Sequence, residues 1–243
     1  MSRVPTIRHL WLFVWLISPL AALAYRPFES TDAAVADKGV SEVELGLVDF
    51  ANHRGENTIA APDLRYNYGF ATNWELVAEG ALQVFDSASS RDFELLNPQL
   101  NLKGVLINGP LQDGRSPVSL AVEVGVLFPE TTPDSGFGFE SVLVASFRTG
   151  KFTWHVNAGG GLQRESSDGF GLWGVIVERP VSQSLRLAAE FNGEFARGST
   201  AENSALAGLL WDYRKITFDA GVRFGLSKAA PDVAFTTGLT FRF

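Results

Sequence analysis

From about residue 40 onward, apolar and polar residues alternate with a period of two rather than 3.6. In "FTWHVNAGGGL", Phe152, Trp154, Val156, Ala158 and Leu162 share one face, while Thr153, His155, Asn157 and the glycines share the other. "ITFDAGVRFGL" repeats the scheme: Ile216, Phe218, Ala220, Val222, Phe224 and Leu226 oppose Thr217, Asp219, Gly221, Arg223 and Gly225. The pattern predicts strands near 40–50, 58–68, 74–85, 94–106, 117–128, 137–148, 152–162, 170–179, 185–195, 204–214, 216–226 and 233–243. That makes about twelve strands of about 10–12 residues, the length a tilted strand needs to cross a bilayer. Strands of soluble proteins average about 5–6 residues.

The connectors alternate in length. "ANHRGENT", "DSASSRD", "PETTPDSG", "QRESSDG", "ARGSTAEN" and "SKAAPD" are longer and polar, while "GFATN", "TG" and "PVSQS" are short. Long and short connections in alternation suit a membrane barrel with outer loops and periplasmic turns. "INGPLQDGRS" is a long connector on the predicted turn side and breaks the rule.

The apolar face is almost free of charge, and Trp74, Phe85, Phe128, Phe137, Phe152, Trp211, Tyr213, Phe241 and Phe243 fall near predicted strand ends. Aromatics there match the interfacial girdles of a membrane barrel. An open strand edge in hydrocarbon would leave backbone groups unpaired, so the sheet is expected to close. The expected fold is all-β: a transmembrane antiparallel up-and-down β-barrel of about twelve strands, after a cleaved signal peptide. A soluble periplasmic or secreted β-protein is the alternative, since its sheets also alternate.

Residues 1–24 form the expected signal peptide: Arg3 and Arg8 precede the apolar core "LWLFVWLISPL", and Ala22-Leu23-Ala24 supplies a small-residue cleavage site. Residues 25–39 are expected to be a periplasmic N-terminal segment and 40–243 the barrel. Losing Arg3 and Arg8 leaves 18 basic against 27 acidic residues, a net charge of −9. An acidic chain without a Lys/Arg cluster is not a nucleic-acid binder. The chain contains no Cys, which removes disulfides, Cys-ligated metals and thiol nucleophiles.

The polar face carries the candidate lumen lining: Glu75, Glu79, Lys103, Glu123, Glu140, Arg148, His155, Trp173, Arg186, Glu190, Asp219 and Arg223, with Glu42, Glu44, Arg65, Glu194 and Arg242 in the same register. Mixed signs suit paired charges that rigidify the lumen or line a narrow wet passage. A slight acidic excess favours cations or neutral solutes. About twelve strands enclose more space than the packed eight-strand case and less than a large porin.

No catalytic constellation, metal site or cofactor is expected. "GFGLWG" (169–174) matches G-x-G-x-x-G formally, but "GVIVERP" continues as a strand where a dinucleotide fold needs a helix. "NAGGGL" (157–162) lacks the lysine of a phosphate loop. After removal of the leader only His53 and His155 remain, too few and too far apart for a metal centre. His155 with Ser146 and Asn157 resembles the His–Ser–Asn set of outer-membrane phospholipases, yet it is predicted to face the lumen rather than lipid.

Thr236, Gly238, Phe241 and Phe243 in "TTGLTFRF" match the C-terminal assembly signal of bacterial outer-membrane barrels: polar, x, Gly, x, x, aromatic, x, aromatic. "YRPFESTDAAVADKGVSEVELGL" (25–47) resembles the start of the outer-membrane transporter family named after the MetA pathway of phenol degradation. Arg26-Pro27, Thr31-Asp32-Ala33 and Gly39 carry the match, and "PDLRYNYGFATNWEL" (62–76) is similar to its second hairpin. The resemblance implies passive passage of small, hydrophobic or aromatic molecules across the bacterial outer membrane. The implied partners are outer-membrane lipids, the barrel assembly machinery and a small-molecule solute. A non-conducting structural barrel and a lipid-acting barrel enzyme remain the alternatives.

Overall fold

The structure, a computed structural model, describes residues 26–87, 93–131, 136–164 and 168–243. The expected signal peptide lies outside the described residues. Twelve strands follow one another: β1 (Ser41–His53), β2 (Glu56–Ala71), β3 (Trp74–Asp86), β4 (Glu94–Ile107), β5 (Val118–Leu127), β6 (Gly138–Thr149), β7 (Phe152–Leu162), β8 (Gly169–Pro180), β9 (Leu185–Ala196), β10 (Glu202–Tyr213), β11 (Ile216–Gly225) and β12 (Val233–Arg242). Each pairs antiparallel with its sequence neighbours, and β1 pairs with β12, so the sheet is a closed barrel. The last rungs of the closing seam run both ways between Ser41 and Phe243, at 3.1 and 3.0 Å.

Alternation sorts the side chains. Val156, Leu187, Phe191, Leu209 and Trp211 point outward and are exposed, while Glu44, Lys103, Ser146, His155 and Glu190 point inward and are buried. A closed barrel with an apolar outside satisfies its backbone internally and spans a bilayer. Outward aromatics meet near the strand ends: Phe128 edge-to-face with Phe137, and Trp211 with Phe218 and Phe241 with Phe243 stacked. Phe241 and Phe243 thus belong to the outer face of the closing strand, with inward Gly238 opposite Gly46 of β1 and inward Thr236 opposite Asp49.

The strands begin and end within a few residues of the expected positions. The eight-residue loop expected at "ANHRGENT" is instead a two-residue turn at Arg54-Gly55, both with positive φ (52° and 89°), between strands that continue through His53 and from Glu56. Two positive φ values at these central positions match the twist of a tight hairpin. "INGPLQDGRS" holds a 3-10 turn, Pro110–Gln112, whose Leu111 packs on a small apolar cluster of Ala33, Ala121, Val142 and Val144.

The segment expected in the periplasm lies inside the barrel. Ala33 is fully buried, and Arg26, Thr31 and Asp32 are each 8% exposed. The chain enters at the short-turn end, where Gly39 N–H donates to Gly69 O at 2.6 Å, and runs up the lumen toward Arg26. Inward-facing glycines make the room. A Cβ on Gly69 would lie 2.2 Å from Asp37 O, one on Gly174 1.8 Å from Ser30 Oγ, and one on Gly208 3.0 Å from Pro27. Polar side chains on this inner wall answer the segment's backbone groups, which is why it docks rather than remaining hydrated below the barrel.

Val156 tests the assignment of faces. Arginine there, on the lipid side of mid-β7, is expected to cost about 2–4 kcal/mol, read as a lowered urea midpoint for the barrel folded into vesicles. An unchanged midpoint would place Val156 away from hydrocarbon.

Candidate functional site

The lumen divides into an occupied half and an open half. In the occupied half, toward the short turns, the segment crosses from wall to wall. Ala36 N–H donates to Glu75 of β3 at 2.6 Å, Ala33 N–H to Ser146 of β6 at 2.9 Å, and Thr31 N–H to Asn157 Oδ1 of β7 at 3.1 Å. Asn157 Nδ2 returns a bond to Thr31 O at 2.8 Å. The amides of Glu29 and Ser30 donate to the Glu190 carboxylate of β9 at 3.1 and 2.7 Å. Arg26 N–H donates to Glu44 of β1 at 3.1 Å. From below, Gln112 of the 3-10 turn donates to Ala33 O at 2.8 Å. Phe28 packs on Ala188 and Leu210, giving the docking an apolar anchor as well.

Lys103, fully buried, joins segment to wall: its ammonium bonds Thr31 Oγ1 at 3.1 Å and lies 3.7 Å from Asp32 and 3.8 Å from Glu75. At the upper end the Arg26 guanidinium meets three carboxylates: Asp49 Oδ1 from Nη2 at 3.0 Å, Asp63 from Nη1, and Asp219 Oδ1 from Nε at 3.7 Å. Burying such charges is tolerable only because each meets opposite charge. Removing one partner of a buried pair typically costs about 3–5 kcal/mol.

Above the segment the lumen opens into a cavity of about 900 Å³. Its floor is Arg26–Thr31, and its wall includes Asp49, Asp63, Arg65, Glu79, Glu123, Glu140, Asn192, Glu194, Glu202 and Arg223. Among the described residues, ten carboxylates and four guanidiniums line it. Arg65 pairs with Glu79, and Arg223 pairs with Glu190 at 3.0 Å and with Glu29 at 3.5 Å. Glu123 accepts a bond from Asn101 at 2.8 Å.

The residues expected in the lumen separate into groups. Glu79, Glu123, Glu140 and Arg223 line the open cavity, and Glu75, Lys103 and Glu190 hold the segment. Asp219 sits behind Arg26. His155 and Arg186 form a buried chain lower down: Ser146 to His155 Nδ1 at 2.8 Å, His155 Nε2 to Glu178 at 3.2 Å, and Arg186 to Glu178 at 2.6 Å and to Asp212 at 3.3 Å. Arg148 keeps the inward register but is exposed at the short-turn rim, opposite Thr153. Trp173 is a correction. Although it is among the residues bordering the cavity, it pairs with outward Ala158 and with Gly193, so its indole lies on the outer face. Buried Glu178 sets the phase of β8 and turns Gly174 and Ile176 inward, leaving odd positions outside.

Ser146, His155 and Glu178 share the residue types of a hydrolase triad. The Ser146 hydroxyl is fully buried and already accepts the Ala33 amide, so no carbonyl can reach it. The chain is a hydrogen-bonded support for the segment.

Arg26, Asp49, Asp63 and Glu178 escaped the sequence reading. Asp49 follows a bulge between Gly46 and Val48 that reverses the phase of β1. Asp63 shares the inward register of Arg65, with no shift between them, so alternation alone places it inside. The signal that was available lies in the inward glycines, which leave a track too empty for a barrel without contents.

No family model matches the chain, and no curated protein matches it in sequence. The resemblance to the MetA-pathway family is therefore not supported by these comparisons. Solved structures do match. The NanC porin aligns with a TM-score of 0.57 at 11% identity, covering 83% of this chain and 98% of the other. The KdgM porin aligns with a TM-score of 0.54 at 10% identity, covering 84% and 99%. At such identities the likeness is one of fold: this chain's closed twelve-stranded barrel aligns with the barrels of these two structures.

Because the chain lacks cysteine, docking of the segment can be read chemically. In an Ala33→Cys variant of the folded barrel, labelling by a water-soluble maleimide is expected to be slow. Adding Asn157→Ala removes both bonds to Thr31 and is expected to speed labelling by about tenfold, the effect of about 1.4 kcal/mol of lost docking. Fast labelling in the single variant would mean that the segment is not seated.

Proposed function

We propose that this protein is a bacterial outer-membrane channel for small polar solutes, with the N-terminal segment restricting its lumen. The observation that carries the reading is the polar cavity of about 900 Å³ inside a closed transmembrane barrel, floored by residues 26–31. Membrane barrels with packed interiors fill that space with side chains, whereas channels leave it wet. The expected leader and C-terminal motif support export and assembly in the outer membrane.

The lining supports polar solutes over the hydrophobic or aromatic ones that the family resemblance implied. A cavity lining with ten carboxylates and four guanidiniums among the described residues favours cations and neutral molecules. Glu79, Glu123, Glu140 and Arg223 are the groups a solute would meet there, and Glu75, Lys103 and Glu190 would act indirectly by seating the segment.

Conductance in a planar bilayer tests the reading. The full mature barrel is expected to give small or infrequent steps with cation preference in a salt gradient. A variant lacking residues 26–36 is expected to give larger, sustained steps. A correctly folded truncated barrel that conducts nothing would overturn the channel reading and favour a structural barrel.

A further inference from the structure

The Arg26 guanidinium occupies a receptor that its own charge does not fill. Three carboxylates, Asp49, Asp63 and Asp219, surround one cation. Asp219 is 3% exposed and aimed at the guanidinium, yet neither of its oxygens makes a hydrogen bond; Asp49 Oδ2 and Arg26 Nε are likewise unbonded. The neighbouring backbone is shaped for a flat group. A Cβ on Gly46 would lie 2.6 Å from Arg26 Nη1 and one on Gly238 2.5 Å from Nε, so glycine on both strands leaves a slot as thin as a guanidinium plane. The slot opens toward the cavity: Asp49 and Asp63 line it, with side chains 28% and 36% exposed, while Asp219 closes the back.

We propose that Asp49, Asp63 and Asp219 form a binding site for guanidinium-bearing solutes, in which Arg26 is a tethered occupant that such a solute displaces. Carboxylates hold a guanidinium through its planar fork of donors, a geometry that a compact ammonium does not match. A solute descending the cavity meets Asp49 and Asp63 first and competes with Arg26 for both. Winning the site releases the Arg26 side chain, and the upper end of the segment is then held by the Arg26 N–H bond to Glu44, the packing of Phe28 and the bonds from Glu29 and below. Solute entry and loosening of the floor are therefore one exchange of cations on the same carboxylates. This deepens the proposed channel function by naming a solute class, but binding at the site does not depend on conduction and is measured separately.

The probe is methylguanidinium, titrated calorimetrically into the folded full-length mature barrel in detergent, with methylammonium as the control cation. Self-occupancy reduces apparent affinity by the fraction of time the site is free. An Arg26→Ala variant is therefore expected to bind methylguanidinium at least about tenfold more tightly than the unmodified barrel. Arg26→Gln, which keeps the shape of the side chain and removes the charge, serves if alanine impairs folding. Adding Asp219→Asn to either variant is expected to abolish the gain, and methylammonium is expected to bind more weakly throughout. Equal affinity in the unmodified and Arg26-substituted barrels would overturn the proposal, as would a gain that survives Asp219→Asn. Tight binding without conductance in any form would leave the site standing and remove the channel.

Discussion

Closure of β1 onto β12 is the constraint from which the remaining architecture follows. In hydrocarbon, an unpaired edge leaves a row of backbone donors and acceptors without partners, at several kcal/mol each. Pairing from Glu42 opposite Arg242 to Asn52 opposite Val233 removes that edge. It also divides every strand into a lipid side and an enclosed side. The outer positions are then free to be Leu, Val and aromatic residues, and polar groups are confined to a space where they must find water or one another.

That confinement explains the contents of the lumen. An inner wall bearing Glu44, Glu75, Lys103, Asn157, Glu190 and Asp219 has more hydrogen-bonding capacity than its own strands can satisfy. Segment 26–36 supplies the missing partners with its backbone amides, Asp32 and the Arg26 guanidinium. Glycines at Gly46, Gly174, Gly208 and Gly238 leave the space it needs. Segment and wall are complementary in charge at Lys103 but mismatched at Arg26, where three carboxylates face one cation. The docked end near Thr31 is thus the better satisfied one, and the Arg26 end, nearest the open cavity, is the one a competing cation can reach.

Much of this was legible in the sequence. Strands such as β7 stand where the period-two pattern put them, because that period is imposed by the bilayer on one side and water on the other. Phase was harder to read than position. A bulge after Gly46 turns Asp49 inward against the simple alternation, and in β8, where both faces are apolar, only Glu178 reveals that Trp173 faces out. The location of residues 26–36 was not readable from local pattern at all. Their partners are scattered over β1, β3, β6, β7, β9 and β11, and contacts of that sequence range leave no local pattern. Inward glycine opposite inward glycine, as at Gly46 and Gly238, is the trace such contents leave in a sequence.

The central claim is that segment 26–36 is seated inside the closed barrel. A pair of substitutions, Ser30→Cys and Gly174→Cys, tests it most directly, since a Cβ on Gly174 would lie 2.8 Å from that of Ser30, close enough for a disulfide after a small adjustment. The chain has no other cysteine to interfere. Mild oxidation of the folded barrel is predicted to give one intramolecular bond, seen as a reduction-sensitive shift in the mobility of the denatured chain. Two thiols that stay free and react readily with a maleimide would show that the segment lies outside the lumen and would contradict the account.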